Sequence, residues 1–150
     1  MATTKGLTMA ITKFSGEHRW LSNFYPATVY AKLGNGGWFE FESIEHAYQA
    51  QKTGEANWPK FVGITAGQAK RLGRQLKMLD NWDGIKEDVM LALLRQKFKR
   101  TNTLGQKLIE TGELVIIEGN TWGDTYWGVC NGEGKNRLGH LIMQVRGEMR

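Results

Sequence analysis

The chain has one cysteine, Cys130, in 150 residues. It can form no internal disulfide, so nothing requires an oxidising compartment, and a reducing cytoplasm is the expected location. No apolar run approaches the roughly 20 residues needed to cross a bilayer. The N-terminus has no signal-type apolar stretch, and no membrane partner is expected. The histidines His18, His46 and His140 have no metal-ligand spacing, which argues against a structural metal. Cys130 has no histidine or helix start beside it in sequence, so it is not expected to act as a nucleophile. Helix-turn-helix, zinc-finger and RNP-type patterns are missing. So are internal repeats, low-complexity segments and linkers.

What is present suits a single domain over residues 1–150. A chain of this length removes roughly two-thirds of its unfolded surface on folding. The net charge of +5, from 20 Lys and Arg against 15 Asp and Glu, favours anionic partners. These cations are spread along the chain instead of being gathered in a tail. Phosphorylated small molecules and nucleic-acid ends are therefore better candidates than duplex DNA.

The pattern of residues predicts an α+β fold, a small antiparallel sheet followed by mostly helix. Strand formers fill Thr8 to Phe14 and Ala27 to Leu33, and Gly34-Asn35-Gly36-Gly37 is a hairpin turn into Trp38-Phe39-Glu40-Phe41. Ser43 is a natural N-cap for a helix from Ile44 to about Glu55, and Thr65 with Gln68 forms a capping box for a helix through Leu76. Asn81 or Asp83 opens a long core helix with Ile85, Val89, Met90, Leu93, Leu94 and Phe98 at spacings of three and four. Thr103 with Gln106 suggests a further capping box, and Gly112 the stop of that helix. Leu114 to Ile117 reads as a buried strand. Asn136 is placed to cap a final helix that turns Leu138, Leu141, Ile142 and Val145 inward.

Groups able to do chemistry fall into compact clusters with aromatics and glycines, as the parts of a pocket for a flat anion would. On the helix after Ser43, Glu45, Tyr48, Gln49 and Lys52 stand at i, i+3, i+4 and i+7, so they share one face. Glu45 and Lys52 are about 10 Å apart along the axis, too far for a direct pair but suited to bracketing a ligand. A solvated face is the competing expectation. Of six tryptophans, Trp20, Trp38, Trp58 and Trp82 look structural. Trp127, beside Asp124 and a glycine-rich segment, ranks first as a stacking platform. Gly132 to Arg137 resembles a phosphate loop opening a helix. It fails as a Walker A motif, because Val129 falls where the first glycine belongs and Asn136 where Ser or Thr holds magnesium. Lys70, Arg74 and Lys77 form a basic helix face, either solvated or phosphate-binding.

The ordered set Leu21-Ser22-Asn23-Phe24, Ser43 to Lys52, Leu72-Gly73-Arg74, Lys97-Phe98, Asp124 to Gly128 and Gly134 to Gly139 resembles the NADAR, or YbiA-like, family from about Phe14 to Arg146. The resemblance implies a compact, helix-dominated α+β fold and hydrolysis of N-glycosidic bonds. In the bacterial branch the implied substrates are ribosylamino-pyrimidine phosphates of early riboflavin biosynthesis. Another branch removes ADP-ribose from guanine in DNA, so ADP-ribosylated DNA is a second implied partner. No cofactor is implied.

Breaking a ribose C1–N bond builds positive charge on the sugar, which a carboxylate beside C1 can stabilise while it activates water. The resemblance gives that role to Glu45. It matches Lys52 to a lysine implicated in a covalent sugar adduct, with charge stabilisation as the less demanding alternative. A lysine at its free pKa of about 10.4 needs burial or a cationic neighbour before it can attack. Asp124 is implied to position substrate or assist water, and Trp127 with Gly128 to meet the base. Asn23, Phe24 and Tyr48 are implied in substrate binding, and Arg74 and Asn136 in holding phosphate or the loop. Two positions depart from the family pattern. Val129-Cys130 follows Trp-Gly where an acidic residue is common, and Ala66 stands where proline commonly begins the second helix. A non-catalytic module that binds ADP-ribose or NAD is the competing class.

Overall fold

The structure, a computed structural model, describes residues 10–150. In chain order its elements are β1 (Ala10–Ile11), a 3-10 segment (Gly16–Leu21), β2 (Val29–Lys32), β3 (Trp38–Phe41), α1 (Ile44–Gln51) and a second 3-10 segment (Glu55–Phe61). There follow α2 (Ala66–Gln75), α3 (Trp82–Lys97), α4 (Thr103–Glu110), β4 (Val115–Ile116), β5 (Gly119–Asn120), β6 (Val129–Cys130) and α5 (Arg137–Met149). Among the described residues no helix is long and apolar enough to cross a membrane. The chain divides into two compact units, one of residues 23–97 and the other of residues 10–22 with 98–150.

In the unit of residues 23–97, β2 and β3 form the expected antiparallel hairpin, closed by Leu33 N donating to Gly37 O at 2.8 Å. Its inner face carries Val29, Ala31 and Phe41, and Phe41 meets Trp58 edge-on with ring centres 5.9 Å apart. On the outer edge of β2, the Gln96 side chain of α3 accepts from Tyr30 N at 2.7 Å and donates to Tyr30 O at 2.9 Å. Trp38, expected in the core, is instead 61% exposed, with the Lys32 ammonium 5.1 Å from its ring centre. The two-residue repeat explains this, since Trp38 and Lys32 are paired across the hairpin on the face turned away from the core.

Ser43 caps α1 as expected, accepting from His46 N at 3.2 Å. The helix stops at Gln51, four residues before the expected Glu55, because the Thr53 hydroxyl donates to Ala50 O and the extended Gly54 turns the chain into the next segment. Every residue from Ile44 to Ala50 is buried, so α1 is enclosed on all sides by the hairpin, the Glu55–Phe61 segment, α2 and α3. The Thr65–Gln68 capping box is present in full.

At the end of α3, Lys97 is 2% exposed and its ammonium lies 5.8 Å from the centre of the Tyr25 ring. Burial pushes its pKa down to about 7. The unfolded chain holds this proton to a higher pH, so stability from this group is full above the usual lysine range, falls as pH drops, and is gone below about 7. Lys97→Met is expected to be more stable near pH 6 by about 1–4 kcal/mol, the range found when buried charges become apolar. The variant should also lose the rise in stability between neutral and alkaline pH. Urea melts across that range check both.

In the unit of residues 10–22 and 98–150, β1 pairs in parallel with β4, joining Ala10 to Val115 and Ile11 to Ile116. This corrects the expectation that the first strand belongs to an antiparallel sheet with the hairpin; positions 8 and 9 of that strand lie outside the described residues. Strand pattern specifies which side faces a core, and long-range packing picks the partner. The expected buried strand at Leu114 to Ile117 is half-buried, with Ile116 inside and Val115 facing out. Leu138, Leu141, Ile142 and Val145 of α5 turn inward as expected. Buried Arg146 ties α5 to the end of α4, donating to Thr111 Oγ1 at 2.9 Å and Leu114 O at 2.8 Å.

The cap of α4 is Asn102, one residue before the expected Thr103. Its Oδ1 accepts from Gly105 N at 2.7 Å, and Gln106 donates to Arg100 O instead of closing a box. Asn102→Ala should cost about 1 kcal/mol, while Thr103→Ala should cost little, as measured by chemical unfolding.

Candidate functional site

Among residues 23–97, the enclosure of α1 turns its chemical face into a buried polar cluster. Glu45 is 7% exposed, which removes the solvated-face alternative. Its backbone N–H donates to Asn23 O at 3.0 Å, so the Asn23 segment sits at the start of this helix. The Asn23 amide donates to Met90 Sδ at 3.6 Å, while its buried Oδ1 has no hydrogen-bond partner among the described residues. Gln49, one turn on, donates from Nε2 to Glu45 Oε2 at 2.9 Å. Burial pushes the Glu45 carboxyl up, and the Gln49 hydrogen bond and the charges of Lys70, Lys52 and His46 oppose that rise without cancelling it.

Half-buried Lys52 stands just past the last turn of α1. Burial lowers its pKa; Glu45 opposes the shift and Arg74 adds to it. Arg74 and Lys77 of the basic segment are exposed and Lys70 is half-buried. Lys70 and Arg74 are near enough to act on the cluster. Tyr48 is buried and packs edge-on against Trp82 at 5.1 Å, while Phe24 is exposed.

His46 anchors the start of α1. A carbonyl can only accept, so the His46 Nε2–H donates to Ile64 O at 2.6 Å, and Nδ1 is hydrogen-bonded with the Ser43 hydroxyl at 2.7 Å. These partners tie Glu45's turn to the segment leading into α2.

In the other unit, the segments 124–128 and 134–139 lie together. Lys135 N donates to Thr125 O, Asn136 N to Gly128 O, Arg137 N to Tyr126 O and Leu138 N to Trp127 O. The Asp124 carboxylate accepts from Tyr126 N at 3.1 Å and Trp127 N at 2.9 Å, an Asx-type turn that presents half-buried Trp127 edge-on to Tyr126. Two residues missed in the sequence organise this loop. Asn120 donates to Glu118 Oε1 at 3.2 Å and to Asp124 O at 2.9 Å, and Glu118 is itself buried. A Cβ at Gly128 would crowd Glu118 and meet Asn120 Nδ2 at 2.7 Å, so only glycine fits there.

Asn136 departs from its expected role as a cap. It has φ 51°, in the left-handed region that asparagine tolerates, and its side chain makes no cap hydrogen bond. Its amide instead accepts from Glu118 N and donates to Ile116 O, each at 2.9 Å. Both ends of the side chain are therefore used inside the fold.

A model of the NADAR domain matches residues 12–150. The chain belongs to the NADAR family. It is 36% identical over 133 residues to the N-glycosidase YbiA of Shigella flexneri serotype 5b, covering 85% of this chain and 79% of that one. It is 34% identical over 137 residues to a riboflavin biosynthesis protein of Vibrio vulnificus, covering 88% of this chain and 36% of that longer protein. The NMR structure of Escherichia coli YbiA matches with a TM-score of 0.74 at 29% identity, over 93% of this chain and 88% of that one. The α+β, helix-dominated fold is therefore that of YbiA, and the chain takes its place among enzymes that cleave N-glycosyl bonds.

Both departures from the NADAR pattern have a place in the fold. Ala66 is the first residue of α2, and the Thr65–Gln68 box keeps that helix start without proline. Val129-Cys130 forms β6, paired in parallel with Gly119-Asn120 and set against the loop that Glu118 and Asn120 organise.

Proposed function

We propose that this NADAR enzyme hydrolyses the bond between ribose C1 and a base or amine nitrogen in a phosphorylated ribosyl compound, of the ribosylamino-pyrimidine phosphate type. The observation that carries the proposal is one buried carboxylate, Glu45, in the first turn of a short helix that ends at Lys52, an amine that burial and Arg74 hold below the usual lysine range. The names of the N-glycosidase and riboflavin-biosynthesis relatives support the substrate class.

In this mechanism the C1–N bonding electrons leave with the nitrogen, and the ribose ring takes on oxocarbenium character that the Glu45 carboxylate stabilises. Water adds to C1, its proton passing to Glu45 and then to the departing nitrogen. The products are a ribose phosphate and a free base. A carboxyl with a raised pKa suits both halves of this transfer, because it takes a proton more readily than an exposed carboxylate and can still return it. Lys52, Lys70 and Arg74 supply positive charge for the phosphate. Within its own unit, Asp124 holds the loop that carries Trp127.

The lowered amine of Lys52 also favours a second reading, in which neutral Lys52 attacks C1 of an ADP-ribosyl group on guanine and forms a covalent adduct that water then resolves. The test offers the purified enzyme riboflavin-pathway ribosylamine phosphates and ADP-ribosylated guanosine DNA side by side, and follows base and sugar release by chromatography and mass spectrometry. Release of ribose phosphate from the first set supports the main proposal, and release of ADP-ribose from DNA supports the second. Tight binding of ADP-ribose with no release from either would overturn both in favour of a binding module.

A further inference from the structure

Gln49 is absent from the roles the family resemblance implies, yet its surroundings are costly for a residue that only fills space. Its side chain is 7% exposed, Nε2 donates to Glu45 Oε2 at 2.9 Å, and Oε1 is enclosed with no hydrogen-bond partner among the described residues. A buried acceptor without a partner destabilises a fold, and an apolar side chain at this position would avoid that. Gly73 bears on the same point. It is buried in the last turn of α2, still inside the helix, where glycine is less favourable than alanine. A Cβ there would overlap Gln49 Oε1 and meet its Cδ at 2.8 Å. Alanine at 73 would therefore improve the helix and displace the amide that holds Glu45. Both residues sacrifice stability for one arrangement.

We propose that Gln49 is a positioning residue for Glu45, locked by the close approach of α2 at Gly73, and that it fixes which carboxylate oxygen faces the substrate. Oε2 is occupied by the Gln49 donor, so the exchangeable proton is carried on Oε1. This deepens the glycosidase proposal and rests on it only for the catalytic consequence; the link from Gly73 through Gln49 to Glu45 stands on geometry alone. The groups acting on Glu45 are Gln49, His46 and Lys52 from α1 and its end, and Lys70 from α2.

The test is the titration of the Glu45 carboxyl in the full-length, substrate-free protein, followed by carbon-13 NMR and assigned with Glu45→Gln. Losing a donor to the carboxylate should move its midpoint up by about one unit in Gln49→Met, and Gly73→Ala should reproduce the shift. Gln49→Asn, one methylene too short to reach, serves if the Met variant does not fold. In turnover, the limb of the kcat/KM profile governed by Glu45 should move by the same amount, and kcat should fall at least tenfold with KM little changed. An unmoved midpoint in the Gln49 variants overturns the inference while leaving the glycosidase proposal intact. A moved midpoint in an enzyme that releases no sugar from any ribosyl compound does the reverse. A shift in Gln49→Met that Gly73→Ala fails to reproduce removes Gly73 from the link.

Discussion

Glu45→Gln is expected to lower kcat/KM for a ribosyl N-glycoside by about 10²–10⁴-fold, the range for loss of a positioned acid-base group, while raising the melting temperature. The variant keeps the shape of the side chain and an oxygen able to accept from Gln49, so the loss would reflect chemistry more than misplacement. The gain in stability follows from the sign of the shift. In the folded protein burial raises the Glu45 pKa, so the unfolded chain ionises first as pH rises. The stability this group contributes is complete below the usual carboxylate range and is lost as pH climbs through the folded value. The amide has no such loss, and the two proteins should diverge as pH rises above the usual carboxylate range. Thermal melts over that range, run beside turnover assays, check both halves. An active variant would remove Glu45 from the mechanism.

Lys52→Ala is expected to abolish turnover, by about 10²-fold or more, in a protein that still folds, since half-buried Lys52 follows the last turn of α1 instead of supporting its interior. Full activity with an unchanged melting curve would exclude it from the mechanism. Lys52→Arg separates its two possible tasks. Arginine keeps the charge and cannot lose it at working pH, so it restores part of the activity if Lys52 acts as a cation and none if the neutral amine attacks carbon. Glu45 and Arg74 pull the Lys52 proton in opposite directions. Removing Glu45 should therefore lower the Lys52 pKa further, and removing Arg74 should raise it.

Local chemistry was the legible part of this fold. Ser43 and Thr65 cap helices because their partners are three residues away and visible in any window of the sequence. Glu45 and Lys52 share a helix for the same reason. What surrounds that helix was not legible, because its enclosure depends on the hairpin, the Glu55–Phe61 segment, α2 and α3, which together reach from Val29 to Lys97. Asn102 and Thr103 are adjacent cap formers, and only the backbone geometry selects between them. The parallel partner of β1 lies about a hundred residues away, where strand propensity carries no information. Gln49 had a usable signal, its i+4 spacing from Glu45, and Gly73 had another, a glycine inside a helix that predicts close approach. Glu118 and Asn120 had none, because their loop takes form only when residues 124–128 and 134–138 come together.

The Gln96 clamp on the outer edge of β2 bears on how the protein behaves at high concentration. A four-residue strand offers two outward-facing backbone positions on that edge, at Tyr30 and Lys32. The amide of Gln96 fills the first as a neighbouring strand would. The second belongs to a lysine, whose charge discourages an incoming strand. A hairpin with an exposed Trp38 and Tyr30 on its outer face would otherwise be a template for strand addition between molecules. By closing that edge from within its own chain, α3 keeps the aromatic face from becoming the start of an intermolecular sheet.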